Sequence, residues 1–174
     1  DEDGDAVRPS LVTLHVHHAQ VSSLPEVGCQ VWRGALHLLD LVLRGGHVKG
    51  GTALELGCGV GLVGVGLVAA GHLDHCILTD SSAAALDLAR ANVQANDLTS
   101  ACTVKKLDWE TFPGEVLGWS EPDLAHLQRV GTLLAADVVY DVEGTRAFFK
   151  ALECLLLPSC VAFVSLEKRI NFSA

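Results

Sequence analysis

From about residue 50 onward, apolar and polar positions fall into blocks of alternating character. Residues 52–56, 76–79, 101–107, 131–139 and 160–166 are short apolar runs of strand length. Helical spacing fills the intervals. A glycine-rich turn after Leu56 opens a small-residue helix that stops at Gly71. Ser81 and Ser82 can cap the next helix, with Leu86, Ala89 and Val93 on its inner face and a stop near Asn96. Thr145, Phe148, Phe149 and Leu152 mark another helix, which ends before Pro158. Upstream, Trp32, Leu36, Leu39 and Leu43 recur at helical spacing before Gly45-Gly46. Residues 111–130, with Pro113, Trp119 and Pro122, read as an irregular insertion.

Apolar strands separated by helices predict an α/β fold, a Rossmann-like doubly wound parallel sheet with helices on both faces. No internal repeat or low-complexity segment interrupts it. The expected organisation is an acidic leader (1–10), an N-terminal extended segment or hairpin (11–27) and one α/β domain (28–174). Such sheets bind ligands outside the carboxyl ends of their strands, where the strand order reverses. That rule gathers Gly57 to Gly61, Asp80, Asp108 and Asp137 on one rim, far apart in sequence as they are.

Composition narrows this picture. The 174 residues suit one domain, and 49% apolar content with a mean hydropathy of +0.35 suits a packed core. A net charge of −9 counts against binding nucleic acid through its phosphates. The stretch from Gly61 to Gly71 is too short to span a bilayer, so no membrane partner is expected. The start Asp1-Glu2-Asp3-Gly4-Asp5 is no signal peptide, and the chain has no Met, so a piece of a longer protein is expected. The cysteines at 29, 58, 76, 102, 154 and 160 form no CxxC pair, which suits free thiols in a reducing, intracellular compartment. His15 and His17 would share one face of an extended segment, and His72 and His75 flank a loop; no completing ligand set accompanies either pair, so no metal is predicted.

The strongest local signal is Leu54-Glu55-Leu56-Gly57-Cys58-Gly59-Val60-Gly61. Glycines there admit a ligand close to the backbone, and the helix behind offers unpaired N–H groups. A dinucleotide fingerprint would need glycine at 62, where the chain has Leu62, so a nicotinamide dehydrogenase is disfavoured. Asp80, at the end of the next strand, is placed to accept hydrogen bonds from both ribose hydroxyls. Taken as single residues, Trp32 and Trp109 also suit core aromatics, Asp108 a turn cap and Asp137 a helix cap.

E-x-G-x-G-x-G with an acidic residue ending the second strand resembles motifs I and II of the class I, seven-β-strand, S-adenosylmethionine-dependent methyltransferases. Val31-Trp32-Arg33-Gly34-Ala35, Leu107-Asp108-Trp109, Asp137-Val138-Val139-Tyr140, Gly118-Trp119-Ser120 and the run from Ser165 to Phe172 resemble the protein-lysine methyltransferases among them. The resemblance covers about residues 28 to 173. It implies S-adenosyl-L-methionine as cofactor and S-adenosyl-L-homocysteine as product. Glu55, Gly57, Gly59 and Gly61 would wall the methionine part and ribose, Asp80 hold the ribose hydroxyls, Asp108 and Trp109 meet adenine, and Trp32 pack beside the cofactor. Asp137 and Tyr140 would be the catalytic pair on the acceptor side. Five strands are read here; the family's sixth and seventh have no counterpart before Ala174.

The implied activity is transfer of a methyl group to a lysine side chain of an intracellular protein in the nucleus or cytoplasm, by a monomer. A basic, nucleic-acid-associated protein is the expected substrate of so acidic a chain. The acceptor amine must first be neutral. With a pKa of about 10.4, deprotonating it near pH 7.4 costs about 4 kcal/mol, which desolvation in a pocket reduces. The alternatives are a methyltransferase-fold module that binds without catalysis, and a small-molecule methyltransferase.

Overall fold

The computed structural model describes residues 11–21, 24–48 and 50–167. The acidic leader and the end of the Ser165-to-Phe172 run lie outside these. Five strands, β1 (Thr52–Leu56), β2 (His75–Asp80), β3 (Cys102–Lys106), β4 (Val130–Ala136) and β5 (Val161–Ser165), form one sheet in the order β3-β2-β1-β4-β5. Every pairing is parallel, and Leu54 lies beside Ile77 on one flank and Leu133 on the other. Between the strands run α1 (Arg33–Gly45), α2 (Leu62–Ala69), α3 (Ala83–Ala95), α4 (Glu121–Leu127) and α5 (Val142–Leu155). The strand order reverses between β1 and β4, and the doubly wound expectation holds.

Alternation along the strands explains the two layers. Ala53, Cys76, Leu78, Cys102 and Leu134 join Leu38 and Val42 of α1, Val63, Val65 and Leu67 of α2, and Leu86, Ala89 and Val93 of α3 in one core. Leu54, Leu56, Ile77, Leu133 and Ala135 turn the other way, onto Leu107, Val138 and Phe148 of α5. A strand covered on both faces favours apolar residues on both, hence the largely apolar runs. Each fully buried Leu or Phe contributes roughly 1.5–3 kcal/mol of transfer free energy.

Two glycines in α2 run against helix propensity, and packing accounts for both. A Cβ on Gly64 would lie 2.4 Å from Leu78 Cδ2, 2.6 Å from Cys76 Sγ and 2.8 Å from Glu55 Oε2. One on Gly66 would lie 2.8 Å from Leu39 Cδ2 of α1. α2 therefore sits closer to the sheet and to α1 than any side chain allows. Gly64→Ala is expected to lower the unfolding free energy by about 1–3 kcal/mol through overpacking, outweighing the ~1 kcal/mol helix-propensity gain. A rise in the urea midpoint would show that α2 can retreat at no cost.

Several expectations shift. α1 turns Gly34, Leu38 and Val42 inward, while Leu36 is 54% exposed and Trp32 is the extended N-cap rather than part of the stripe. The rotation is set at the first turn, where the Gly34 N–H donates to Asp137 Oδ2 at 2.6 Å. β4 stops at Ala136, three residues early, because Asp137 adopts a left-handed φ of 55°. β2 begins one residue before the expected run, at His75, which is buried with its Nε2 3.0 Å from Thr103 Oγ1. The 111–130 insertion is more ordered than its composition suggests: Gly114–Gly118 is a 3-10 turn, and α4 is tied to β3 through Asp123 and Lys105. Residues 11–19 carry no regular secondary structure and, among the described residues, pair with no strand; Leu24–Cys29 coils into a 3-10 segment.

The helix reading over 81–96 holds. Ser82 Oγ accepts from the Ala85 N–H at 3.3 Å, and Ala85, Leu86, Ala89, Asn92 and Val93 are buried. At the far edge, Val161 and Val164 of β5 are exposed. The cysteines carry free thiols, four of them buried. Among the described residues no helix is long and apolar enough to cross a membrane, and no three His, Cys, Asp or Glu side chains converge as a metal cluster.

Candidate functional site

The carboxyl ends of β1, β2 and β4 open into a cavity of about 480 Å³. Trp32, Glu55, Gly57, Gly59, Asp80, Asp137 and Tyr140 line it, so seven positions singled out in the sequence meet there. Asp108 and Trp109 line a smaller adjoining cavity of about 170 Å³, which shares Asp80, Ser81 and Tyr140 with the first. Gly61 lines neither. It is the left-handed N-cap of α2 (φ 79°) and packs under Leu78 and Ala89.

The turn after β1 is shaped by what surrounds it. Gly59 has φ 54°, and a Cβ there would lie 2.8 Å from the Gly28 carbonyl oxygen, so glycine meets both a backbone and a space requirement. Asp80 ends β2 and holds this turn. Its Oδ2 accepts from the Gly59 N–H at 2.9 Å and its Oδ1 from the Ser82 N–H at 2.9 Å. A carboxylate has about four lone-pair positions, so these backbone bonds leave part of its accepting capacity to the cavity. Burial pushes its pKa up, while the bonds from Ser82 and Gly59 hold it down.

Glu55 is 2% exposed at the cavity floor, with Oε2 accepting from the Gly64 N–H at 2.9 Å. Burial raises its pKa from 4.5 to about 8, against the Gly64 hydrogen bond and with help from the Asp80 charge. Asp137 is buried and spoken for by backbone on both sides: Oδ2 accepts from Gly34 and Oδ1 from the Glu167 N–H at 2.9 Å. It therefore joins the start of α1 to the segment after β5. It does not cap α5; Asp141 does, accepting from the Gly144 N–H at 2.8 Å. Tyr140 stands at the mouth, 49% exposed.

The aromatic pair divides. Trp32 is half-buried and donates its indole N–H to the Val27 carbonyl at 2.8 Å. Trp109 packs edge-on against Phe148, with ring centroids 5.3 Å apart, and lies over Gly57. Its own Nε1–H is buried without an acceptor among the described residues, a state that ordinarily costs free energy. Asp108 does cap a turn, Oδ1 accepting from the Glu110 N–H at 3.0 Å, and still borders the smaller cavity.

One wall was not legible beforehand. Val27, Gly28 and Gln30, from the 3-10 segment and the residue after it, line the cavity, with Gly28 packed against Gly59, Asp80 and Ala85. Their one sequence signal is Gly28, where a Cβ would lie 3.1 Å from Ala85 Cβ. Cys58 and Val138 also contribute, as neighbours of quoted motifs.

A parallel sheet with a glycine turn, a buried carboxylate at the next strand end and an aromatic side pocket defines an α/β domain with a ligand-sized cavity at its carboxyl rim. The particular family follows from sequence: a family model described as lysine methyltransferase matches residues 13–173, and the chain belongs to that family. It is 38% identical over 175 residues to mouse methyltransferase-like protein 22, covering 92% of this chain and 44% of that protein. It is 28% identical over 146 residues to protein-lysine N-methyltransferase EFM3 of Chaetomium thermophilum, covering 83% and 43%. The glycopeptide N-methyltransferase MtfA, crystallised with S-adenosylmethionine, shares the fold at a TM-score of 0.55 and 20% identity, over 75% of this chain and 53% of that one. The chain thus spans less than half the length of the curated relatives named here.

Proposed function

We propose that this chain forms the cofactor-binding part of a protein-lysine N-methyltransferase that uses S-adenosyl-L-methionine. The observation that carries this is the convergence of Glu55, the glycine turn, Asp80, Asp137 and Tyr140 on one cavity, in a chain of the lysine methyltransferase family. The residues fit an adenosyl group. Asp80 retains accepting capacity for the ribose hydroxyls, Gly57 and Gly59 leave room at the backbone, and the side pocket with Asp108 and the orphaned Trp109 N–H suits a purine.

S-adenosylmethionine supplies a methyl group on a sulfonium sulfur and leaves as S-adenosylhomocysteine. What remains for the protein is largely positioning and exclusion of water. Trp32 and Val31 shield the cavity from one side, Val138 and Tyr140 from the other. Asp137, held rigid by two backbone amides, presents its remaining lone pairs to an incoming ammonium and keeps the amine aligned after proton loss. Tyr140 forms the aromatic wall of the entrance. Asp80 and Asp137 in one cavity suit a cationic guest, and a net charge of −9 suits a basic protein, including nucleic-acid-associated ones. This reading places the protein in the nucleus or cytoplasm, working as a monomer without contacting nucleic acid directly.

One observation favours a second reading, a cofactor-binding module without turnover: both Asp137 oxygens already serve the fold. The two readings part on labelling. Full-length protein with methyl-labelled cofactor and a cell extract should place label on lysine side chains of protein; none on protein, or label on other residues alone, overturns the lysine assignment. Calorimetry with S-adenosylhomocysteine tests the site itself. Asp80→Ala should weaken binding about 10- to 100-fold, the equivalent of a charge-assisted hydrogen bond at roughly 1.5–3 kcal/mol. Equal binding would remove Asp80 from the site.

A further inference from the structure

Residues 11–19 have no strand partner among the described residues, yet they are fastened at two points by the side chains of Asn92 in α3 and Asn96, its C-cap. Asn96 Oδ1 accepts from the His15 N–H at 2.9 Å, and Asn96 Nδ2 donates to the His15 carbonyl at 2.8 Å. Asn92 repeats the pattern on His17, accepting at 2.6 Å and donating at 3.0 Å. Each amide pairs with a peptide group as a neighbouring strand would. The spacing permits it: four residues of helix rise about 6 Å, close to the ~6.7 Å covered by two residues of an extended chain. Because the backbone is what is held, the His15 and His17 side chains stay exposed. Leu14 faces the other way, into the core.

Asn92 does more than hold the strap. It is 1% exposed, and its Nδ2 also donates to the Val60 carbonyl at 2.8 Å, within the glycine turn. The strap continues through Ala19, whose N–H donates to the Cys29 carbonyl at 2.8 Å, into the 3-10 segment that supplies Val27 and Gly28 to the cavity wall. The Gly28 carbonyl in turn abuts Gly59. One buried amide thus joins two parts of the cavity lining, the glycine turn directly and the Val27–Gly28 segment through the strap.

We propose that Asn92, which touches neither cavity, is a positioning residue for cofactor binding, and that Asn96 supports it by holding the strap in register. The proposal rests on the reading of the cavity as an S-adenosylmethionine site. When the strap lifts, the Val27–Gly28 wall loses its backing and the pocket opens on that side. Reciprocity follows: whatever binds between wall and turn must tighten the strap.

The test uses full-length protein, calorimetry with S-adenosylhomocysteine, and amide hydrogen exchange over residues 11–31. In the wild type, ligand should slow exchange of the strap as well as of the glycine turn. Asn96→Ala, which leaves the Asn92–Val60 bond in place, should weaken binding about 5- to 10-fold and remove the ligand-induced protection of the strap. Asn92→Ala should weaken it by about 10- to 100-fold; if that variant does not fold, Asn96→Ala alone decides. A merely structural role predicts a lower melting temperature with unchanged affinity, and that result overturns the proposal. So does a strap whose exchange ignores the ligand while the wild type binds normally. A wild type that binds no S-adenosylhomocysteine instead removes the cofactor reading itself, and this proposal with it.

Discussion

Asp137→Ala is expected to lower the free energy of unfolding by about 3–6 kcal/mol, two charge-assisted hydrogen bonds at roughly 1.5–3 kcal/mol each. The carboxylate bridges Gly34 and Glu167, so one side chain pins the first turn of α1 and the chain leaving β5 to the end of β4. Removal would leave the buried Gly34 N–H facing a void. Alanine is also poorer than aspartate at the left-handed φ of 55°. Asp137→Asn should fall between: the amide keeps one acceptor and tolerates the backbone, but turns an N–H₂ toward an N–H. Urea unfolding of full-length protein measures both. Stability within about 0.5 kcal/mol of wild type for Asp137→Ala would show the clamp to be incidental. The size of the effect bears on any activity assay, because an inactive Asp137→Ala conflates lost folding with lost chemistry. A role in chemistry requires lost turnover in a variant that still melts cooperatively and still binds S-adenosylhomocysteine.

Asp137 shows where sequence reasoning reaches and where it stops. Its place near the carboxyl end of a strand was legible from the apolar runs, as it was for Asp80 and Glu55, although run length carried β4 three residues too far. Its bonds to Gly34 and Glu167 were not, since they join residues 103 and 30 positions away that share no local pattern. α1 was misread for that reason: Trp32, Leu36, Leu39 and Leu43 have valid helical spacing, but the clamp at Gly34 rotates Leu36 outward. The glycines of α2 looked like a weakness and are instead what lets the helix settle against Cys76 and Leu39. The strap was legible as extended, but not as a partner of α3, because backbone held by asparagine leaves no mark on the side chains of the strap itself. Local rules recovered the sheet, the rim and most of the cavity's floor. The wall from Val27 to Gln30 comes from tertiary packing alone.

Folded-state stability is expected to decline as pH rises from about 4.5 to about 8, and Glu55→Gln should abolish that part of the decline. Glu55 is buried beside the Asp80 carboxylate with one amide for a partner, so its folded pKa stands at about 8 against an ordinary 4.5. Below pH 4.5 both folded and unfolded chains carry the proton, and its contribution is fully present. Between the two values only the folded chain holds it, so unfolding releases a proton and stability falls by up to ~1.36 kcal/mol per pH unit. Above about 8 both states are ionised and the slope vanishes. The full span is worth about 5 kcal/mol, an upper bound because local rearrangement can hydrate the charge. Glutamine matches the neutral acid in shape, and its carbonyl can accept from Gly64 as Oε2 does. The two proteins should therefore be similarly stable near pH 4.5 and diverge above it, Glu55→Gln becoming the more stable by several kcal/mol at pH 8. The difference between their urea-unfolding free energies isolates this one group, since Asp80 and the surface carboxylates titrate in both. Parallel pH profiles would mean that Glu55 is ionised throughout, with hydration of its charge supplied from the cavity side.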